Sequence, residues 1–187
     1  MNLAYFLTDI IAHSPEAPAL ALGKNVVASY AEHGNISARL AGAFLTELGL
    51  KTGDRVAIAM KNAPAYSEIM FGAWHAGLAT VPMYARLHPR EFAYILQNSG
   101  ARICFVSEDM ADEIVQAAQD VPTLEHIVIA ESPRYRELAG ADPIDVVDVD
   151  PDALASPLYA PGTPGPRHRP HLSDKNPPLP NTATSRA

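Results

Sequence analysis

Four short segments constrain this chain most: residues 55–60 (RVAIAM), 80–83 (TVPM), 102–106 (RICFV) and 126–130 (HIVIA). Each is a brief, almost wholly apolar run with no polar alternation, so each predicts a strand covered on both faces. Between them the apolar period lengthens. Ile36, Leu40, Phe44 and Leu48 recur every fourth residue up to Gly49. Ile69, Met70, Ala73 and Trp74 form one apolar face, preceded by Asn62 as a candidate cap and Pro64 in the first turn, and ended by Gly77. Phe92, Ile95 and Leu96 follow Pro89 and stop at Gly100. Residues 111–118 predict a further helix, opened by Glu108, Asp109, Asp112 and Glu113, acids that suit the positive end of a helix dipole. Strands alternating with helices predict β-α-β units with right-handed crossovers. The fold class is therefore α/β: a partial doubly wound, mostly parallel sheet flanked by helices. Ahead of it, residues 2–13 predict an amphipathic helix, and residues 19–22 and 26–29 a hairpin around Gly23-Lys24-Asn25.

The pattern breaks late in the chain. Nine of the 17 prolines follow Asp150, and proline repeatedly removes the donors on which helices and sheets depend. The expected organisation is a folded unit over residues 1–155 and a proline-rich, disordered tail over residues 156–187. Asp145, Asp148, Asp150 and Asp152 alternate with valines and a proline, which predicts a strand edge carrying exposed acids. The net charge of −7 argues against nucleic-acid partners, which need a basic surface. No apolar run reaches the about 18 residues of a membrane span. The amino terminus lacks the basic region of a signal peptide, and Cys104 has no second cysteine to pair with, so a cytoplasmic protein is expected. Cys104 lies in mid-strand and reads as a small buried hydrophobe.

A parallel α/β unit hosts many activities, and fold alone does not choose among them. Four ordered stretches do more. Gly53-Asp54-Arg55-Val56-Ala57-Ile58, then 71–77 (FGAWHAG), then 81–91 (VPMYARLHPRE), then 94–102 (YILQNSGAR) resemble, in wording, order and spacing, the adenylate-forming superfamily of acyl-CoA synthetases, firefly luciferase and nonribosomal adenylation domains. The wording is most similar to fatty acyl-CoA synthetases and covers residues 1–155. The resemblance implies a reaction in which a carboxylate attacks ATP to give an acyl-adenylate and pyrophosphate, after which coenzyme A displaces AMP, with Mg²⁺ assisting.

In that family a glycine- and hydroxyl-rich loop comes next, written Y-T-S-G-T-T-G-x-P-K-G. Here residues 159–169 read YAPGTPGPRHR. Tyr159, Gly162, Thr163 and Gly165 match, and are the candidate ATP-binding residues that the resemblance implies. Ala160, Pro161 and Pro164 stand where the family has hydroxyl residues, and His168 where it has lysine. Prolines delete backbone donors, lost hydroxyls delete side-chain donors, and the lost lysine deletes a cation, so a poor polyphosphate cradle is expected. The family's pocket motif, ribose-binding acid, hinge and carboxy-terminal lysine have no counterpart before Ala187. No catalytic residue and no metal ligand is therefore assigned, and no cofactor is expected on this chain alone; ATP, Mg²⁺ and coenzyme A belong to the intact family. Three functions stay open: a truncated synthetase without independent activity, one half of a split synthetase completed by a second polypeptide, and a non-catalytic module that associates with full-length synthetases.

Overall fold

In the computed structural model of the chain, residues 2–150, 154–157 and 171–173 are described. The fold is built outward from one strand. Arg55–Ala59 is β3, and its Val56, Ala57, Ile58 and Ala59 are all fully buried. A strand sealed on both faces needs neighbours on both edges and cover on both sides. Ala79–Met83 (β4) pairs parallel to one edge of β3, and Ile103–Val106 (β5) to the other; His126–Ile129 (β6) then pairs parallel to β5. The strand order is β4-β3-β5-β6.

Helix placement follows from that order and from the alternation of side chains along each strand. Val56, Ile58, Ile103, Phe105 and Val128 face a core closed by helix α2 (Tyr30–Thr46), helix α3 (Pro64–His75) and the short α6 (Pro133–Leu138). Ala57, Ala59, Val81, Cys104 and Val106 face a second core closed by α4 (Pro89–Ser99) and α5 (Ala111–Ala117). The chain leaves β3 through α3 to β4, then returns past β3 through α4 to β5. Reversing the direction of travel while keeping right-handed crossovers moves the helix to the opposite face. The doubly wound, parallel arrangement expected from periodicity is present. Ahead of it stand α1 (Ala4–His13) and the antiparallel hairpin β1–β2 (Pro18–Leu22, Asn25–Ser29). Ser29 caps α2 reciprocally with Glu32, the serine hydroxyl accepting from Glu32 N–H and the carboxylate accepting from Ser29 N–H. Cys104 is fully buried, and burial pushes its thiol up to about 12, so it is an inert core residue as expected.

At the amino-terminal edge of the sheet two arginines tie the layers together. Arg55 donates to Ser99 O at 2.8 Å and to Gly100 O at 2.9 Å, capping the carbonyls that end α4. Arg102 donates to both carboxylate oxygens of Glu125, at 2.8 and 2.6 Å, and to Asp54 Oδ2 at 2.7 Å. Burial pushes the Asp54 carboxyl up, but the Arg102 and Lys51 N–H hydrogen bonds outweigh it and hold it below the usual range.

Three local readings differ from the structure. Asn62 does not cap α3; the N-cap is Ala63, with no side-chain bond, although Pro64 does open the helix. Helix α6 went unread. Asp145, Asp148 and Asp150 do not lie on a strand edge, and Asp152 lies outside the described residues; the segment concerned is residues 142–150. That segment is an extended strap lying on helices: Ile144 N–H donates to Ala38 O at 3.3 Å and Val147 N–H to His75 O at 2.9 Å. His75 Nε2 bonds Ile144 O at 2.8 Å, and the buried Asn2 amide reaches both Trp74 O at 2.6 Å and Val147 O at 2.9 Å. The backbone bonds of a strap need not go to a ladder, so alternation alone misassigns it. The strap lies so close to α2 that a Cβ on Gly42 would sit 2.1 Å from Asp142 O.

Three outcomes follow from this packing. Gly42→Ala is expected to lower stability by about 1–3 kcal/mol in a chemical-denaturation experiment, since backbone and not a flexible side-chain tip must move. Arg55→Ala, which orphans two carbonyls at the end of α4, is expected to cost about 2 kcal/mol by the same measurement. Stability is also expected to decline as pH falls. His33 is buried with Nδ1 unpartnered, and burial pulls its imidazole from 6.5 down to about 4. The unfolded chain therefore binds more protons between those values, and the stability present above pH 6.5 is lost on going down towards pH 4. His33→Leu should flatten that slope in denaturation curves collected across the range; an unchanged slope would remove His33 as its source.

Candidate functional site

In open α/β sheets ligands sit outside the carboxyl ends of the strands, where the strand order reverses. Here the reversal lies between β3 and β5, so the relevant residues are those following Ala59 and Val106. Lys61 and Ser107 meet there. Lys61 N–H donates to Ser107 Oγ at 2.8 Å, and Lys61 Nζ pairs with Asp109 Oδ2 at 2.5 Å. Both side chains of that pair are more than half exposed, at 67% and 54%, so it contributes little to stability. What it does is occupy the crevice and neutralise its lysine.

Two of the surrounding helix starts, those of α4 and α6, carry side-chain caps, while those of α3 and α5 carry none. At α4, His88 Nδ1 accepts from Arg90 N–H at 3.3 Å, and Glu91 accepts from His88 N–H at 2.9 Å. At α6, Ser132 Oγ accepts from Tyr135 N–H at 3.2 Å. Glu131, just after β6, adopts φ 63°, the left-handed region that glycine favours, and its carbonyl accepts from Arg136. Glu108, Asp109 and Glu131 give this edge an acidic character. The described part of the edge thus mixes carboxylates with Lys61, Arg86 and Arg90, and capped helix starts with the uncapped starts of α3 and α5. Among the described residues no group of three or more His, Cys, Asp or Glu side chains is placed to hold a metal ion.

The residues expected to touch ATP, Tyr159, Gly162, Thr163 and Gly165, lie outside the described residues, as do Pro161, Pro164 and His168. Their flanks are described. Leu154–Pro157 (β7) and His171–Ser173 (β8) pair antiparallel, with Leu154 opposite Ser173 and Pro157 opposite His171. The stretch carrying the loop motif therefore starts and finishes on neighbouring strands. Proline content hid both strands from the sequence reading. Ala155 is buried, and its carbonyl accepts from Trp74 Nε1 at 3.1 Å and Thr80 Oγ1 at 3.5 Å. Trp74, expected as core, is half-buried and spends its N–H on this anchor. Nothing in the sequence signalled that contact. Among the described residues no helix is long and apolar enough to cross a membrane.

Comparison with known proteins places this geometry. The family model described as AMP-binding enzyme matches residues 7–167. A fatty acid–[acyl-carrier-protein] ligase, ScoC, of Streptomyces coeruleorubidus is 34% identical over 154 residues, covering 82% of this chain and 29% of its own length. The long-chain-fatty-acid–CoA ligase FadD13 of Mycobacterium tuberculosis is 30% identical over 170 residues, covering 88% of this chain and 33% of its own. The chain thus spans about a third of the length of these relatives. The crystal structure of the N-terminal domain of FACL13 from Mycobacterium tuberculosis superimposes with a TM-score of 0.80 at 27% identity, over 92% of this chain and 44% of that one. The anthranilate CoA ligase AuaEII shares the fold, with a TM-score of 0.84 at 21% identity over 93% of this chain and 34% of that one. This chain belongs to the AMP-binding enzyme family and corresponds to the N-terminal part of its AMP-forming synthetases.

Proposed function

We propose that this chain is the N-terminal subdomain of an AMP-forming fatty acid–CoA ligase and that the 187-residue polypeptide does not perform adenylation by itself. In the family, ATP with Mg²⁺ activates a carboxylate as its adenylate, and coenzyme A then takes the acyl group. Relatives named for fatty acids support the substrate class. The observation that carries the loss of activity is the loop at residues 159–169, where Ala160, Pro161, Pro164 and His168 replace three hydroxyl residues and a lysine. A triphosphate needs several donors and cations converging at once, and each charge-assisted contact contributes about 1.5–3 kcal/mol. The described residues do not compensate. Lys61, which follows β3, is paired with Asp109, and Glu108 and Glu131 stand at the same edge. ATP therefore does not fit the residues present, and no chemical step is assigned to them.

On this reading the chain serves as scaffold: a doubly wound layer against which the rest of a synthetase packs, in a cytoplasmic setting. Its natural partner is the remaining two-thirds of such an enzyme, supplied by a longer chain or by a second polypeptide.

Calorimetric titration of the 187-residue polypeptide with ATP and Mg²⁺ is expected to show no saturable binding up to millimolar nucleotide. The combined variant Ala160→Thr, Pro161→Ser, Pro164→Thr, His168→Lys is expected to raise affinity at least about 100-fold, since it restores several charge-assisted contacts. Tight, Mg²⁺-dependent binding by the unaltered chain would falsify the proposal.

A further inference from the structure

A second concave feature lies away from the sheet edge. The β1–β2 hairpin and the first turns of α2 and α3 enclose a cleft of about 360 Å³. Its walls are apolar, from Leu22 and Val27 on the hairpin, Ile36 on α2 and Pro64 on α3. Three polar side chains interrupt them, Asn35 on α2 and two carboxylates, Glu32 at the start of α2 and Glu68 one turn into α3. The two acids are unlike. Glu32 is committed to its cap, with Oε2 accepting from Ser29 N–H at 2.7 Å and from Ser29 Oγ–H at 2.9 Å.

Glu68 is only 8% exposed. Its Oε2 accepts from Tyr135 Oη–H at 2.5 Å, and Tyr135 is itself held in the core with its ring edge-on to Phe105. No hydrogen bond to its Oε1 is seen among the described residues, and Glu68 is one of the residues that line the cleft. Glu68 belongs to none of the ion pairs among the described residues. Glu131 adds negative potential nearby, and burial pushes the Glu68 carboxyl above its usual range. A carboxylate deprived of water, without a counter-cation and facing an apolar cleft is complemented by a cation that carries its own hydrocarbon.

We propose that this cleft binds a small aliphatic primary amine, its ammonium donating to Glu68 Oε1 and its alkyl chain lying against Leu22, Val27 and Ile36. A free alkylammonium fits both halves of the cleft. An alcohol of the same length lacks the charge, and a carboxylate of the same length carries the wrong one. Tyr135 acts as a positioning residue: by donating to Oε2 it fixes the carboxylate and leaves Oε1 for the ligand.

Hexylammonium chloride is the probe, titrated into the whole chain at pH 7.5 with amide shifts recorded by NMR and heats by calorimetry. Saturable binding is expected, with shifts concentrated at residues 22–36 and 64–68. Hexanol and hexanoate are expected to bind at least about tenfold more weakly. Glu68→Gln keeps an acceptor for Tyr135 but removes the charge, and is expected to weaken hexylammonium about tenfold or more. If Glu68→Gln fails to fold, Val27→Lys decides, because Val27 is 45% exposed and tolerates a polar side chain. Its ammonium should compete for the cleft and give a similar loss. Affinity should also decline as pH is lowered and Glu68 takes up a proton. Absence of saturable binding, equal binding of hexanol, or retention of affinity in both variants would each overturn the assignment. Shifts spread over the acidic surface instead of the cleft would overturn it as well.

Discussion

Everything in this molecule is arranged around the dryness of β3. Val56 and Ile58 on one face and Ala57 and Ala59 on the other are removed from water together. A strand in that position cannot be satisfied by a single layer of helices. It needs α2 and α3 on one side, and α4 and α5 on the other. The size difference between its two faces matters too. The larger side chains meet Phe44, Ile69 and Leu138, while the two alanines let Phe92, Ile95 and Leu96 approach from α4. Once both faces must be covered by right-handed crossovers, the chain has to reverse direction, and the reversal fixes where a crevice can form.

The two edges of the sheet then behave differently, and the motifs sort between them. Gly53-Asp54-Arg55 and Ser99-Gly100-Ala101-Arg102 belong to two of the four stretches that carry the family resemblance, and they meet at the amino-terminal edge. Arg55 binds the carbonyls of Ser99 and Gly100, and Arg102 binds the carboxylate of Asp54. Two motifs far apart in sequence are thus the two halves of one clamp. Their physical role is to lock the end of α4 and the start of β5 onto β3. These two motifs therefore hold the scaffold together.

That division explains what could be read without coordinates. Apolar runs and helical periods located the four parallel strands, the hairpin and α1 to α5, because burial on a fixed period is a one-dimensional signal. The strap at residues 142–150 defeated the same reasoning: Val147 and Val149 alternate with acids as in a strand, but they pack at Gly77 and their backbone bonds go to helices. Helix α6 was announced by Ser132 before Pro133 and by Tyr135 and Leu138 three apart, yet it is too short for a period to show. The Glu68–Tyr135 contact joins residues 67 positions apart, and no local pattern encodes it. The candidate ATP residues were visible only through resemblance, and they lie outside the described residues.

The anchoring of β7 shows how a binding loop can change without disturbing the fold that bears it. Trp74 and Thr80 hold Ala155 through its backbone carbonyl, and the β7–β8 pairing is likewise a matter of main chain. Such contacts are indifferent to side-chain identity a few residues further on. Among the described residues, the buried members of the two cores on either side of β3 all lie at or before Leu138. Polyphosphate binding has no such indifference, because every donor removed from a converging set is felt by the same ligand. The residues that hold the layers and those that the family resemblance assigns to nucleotide are thus different residues, so the family signature in the scaffold does not depend on the loop sequence.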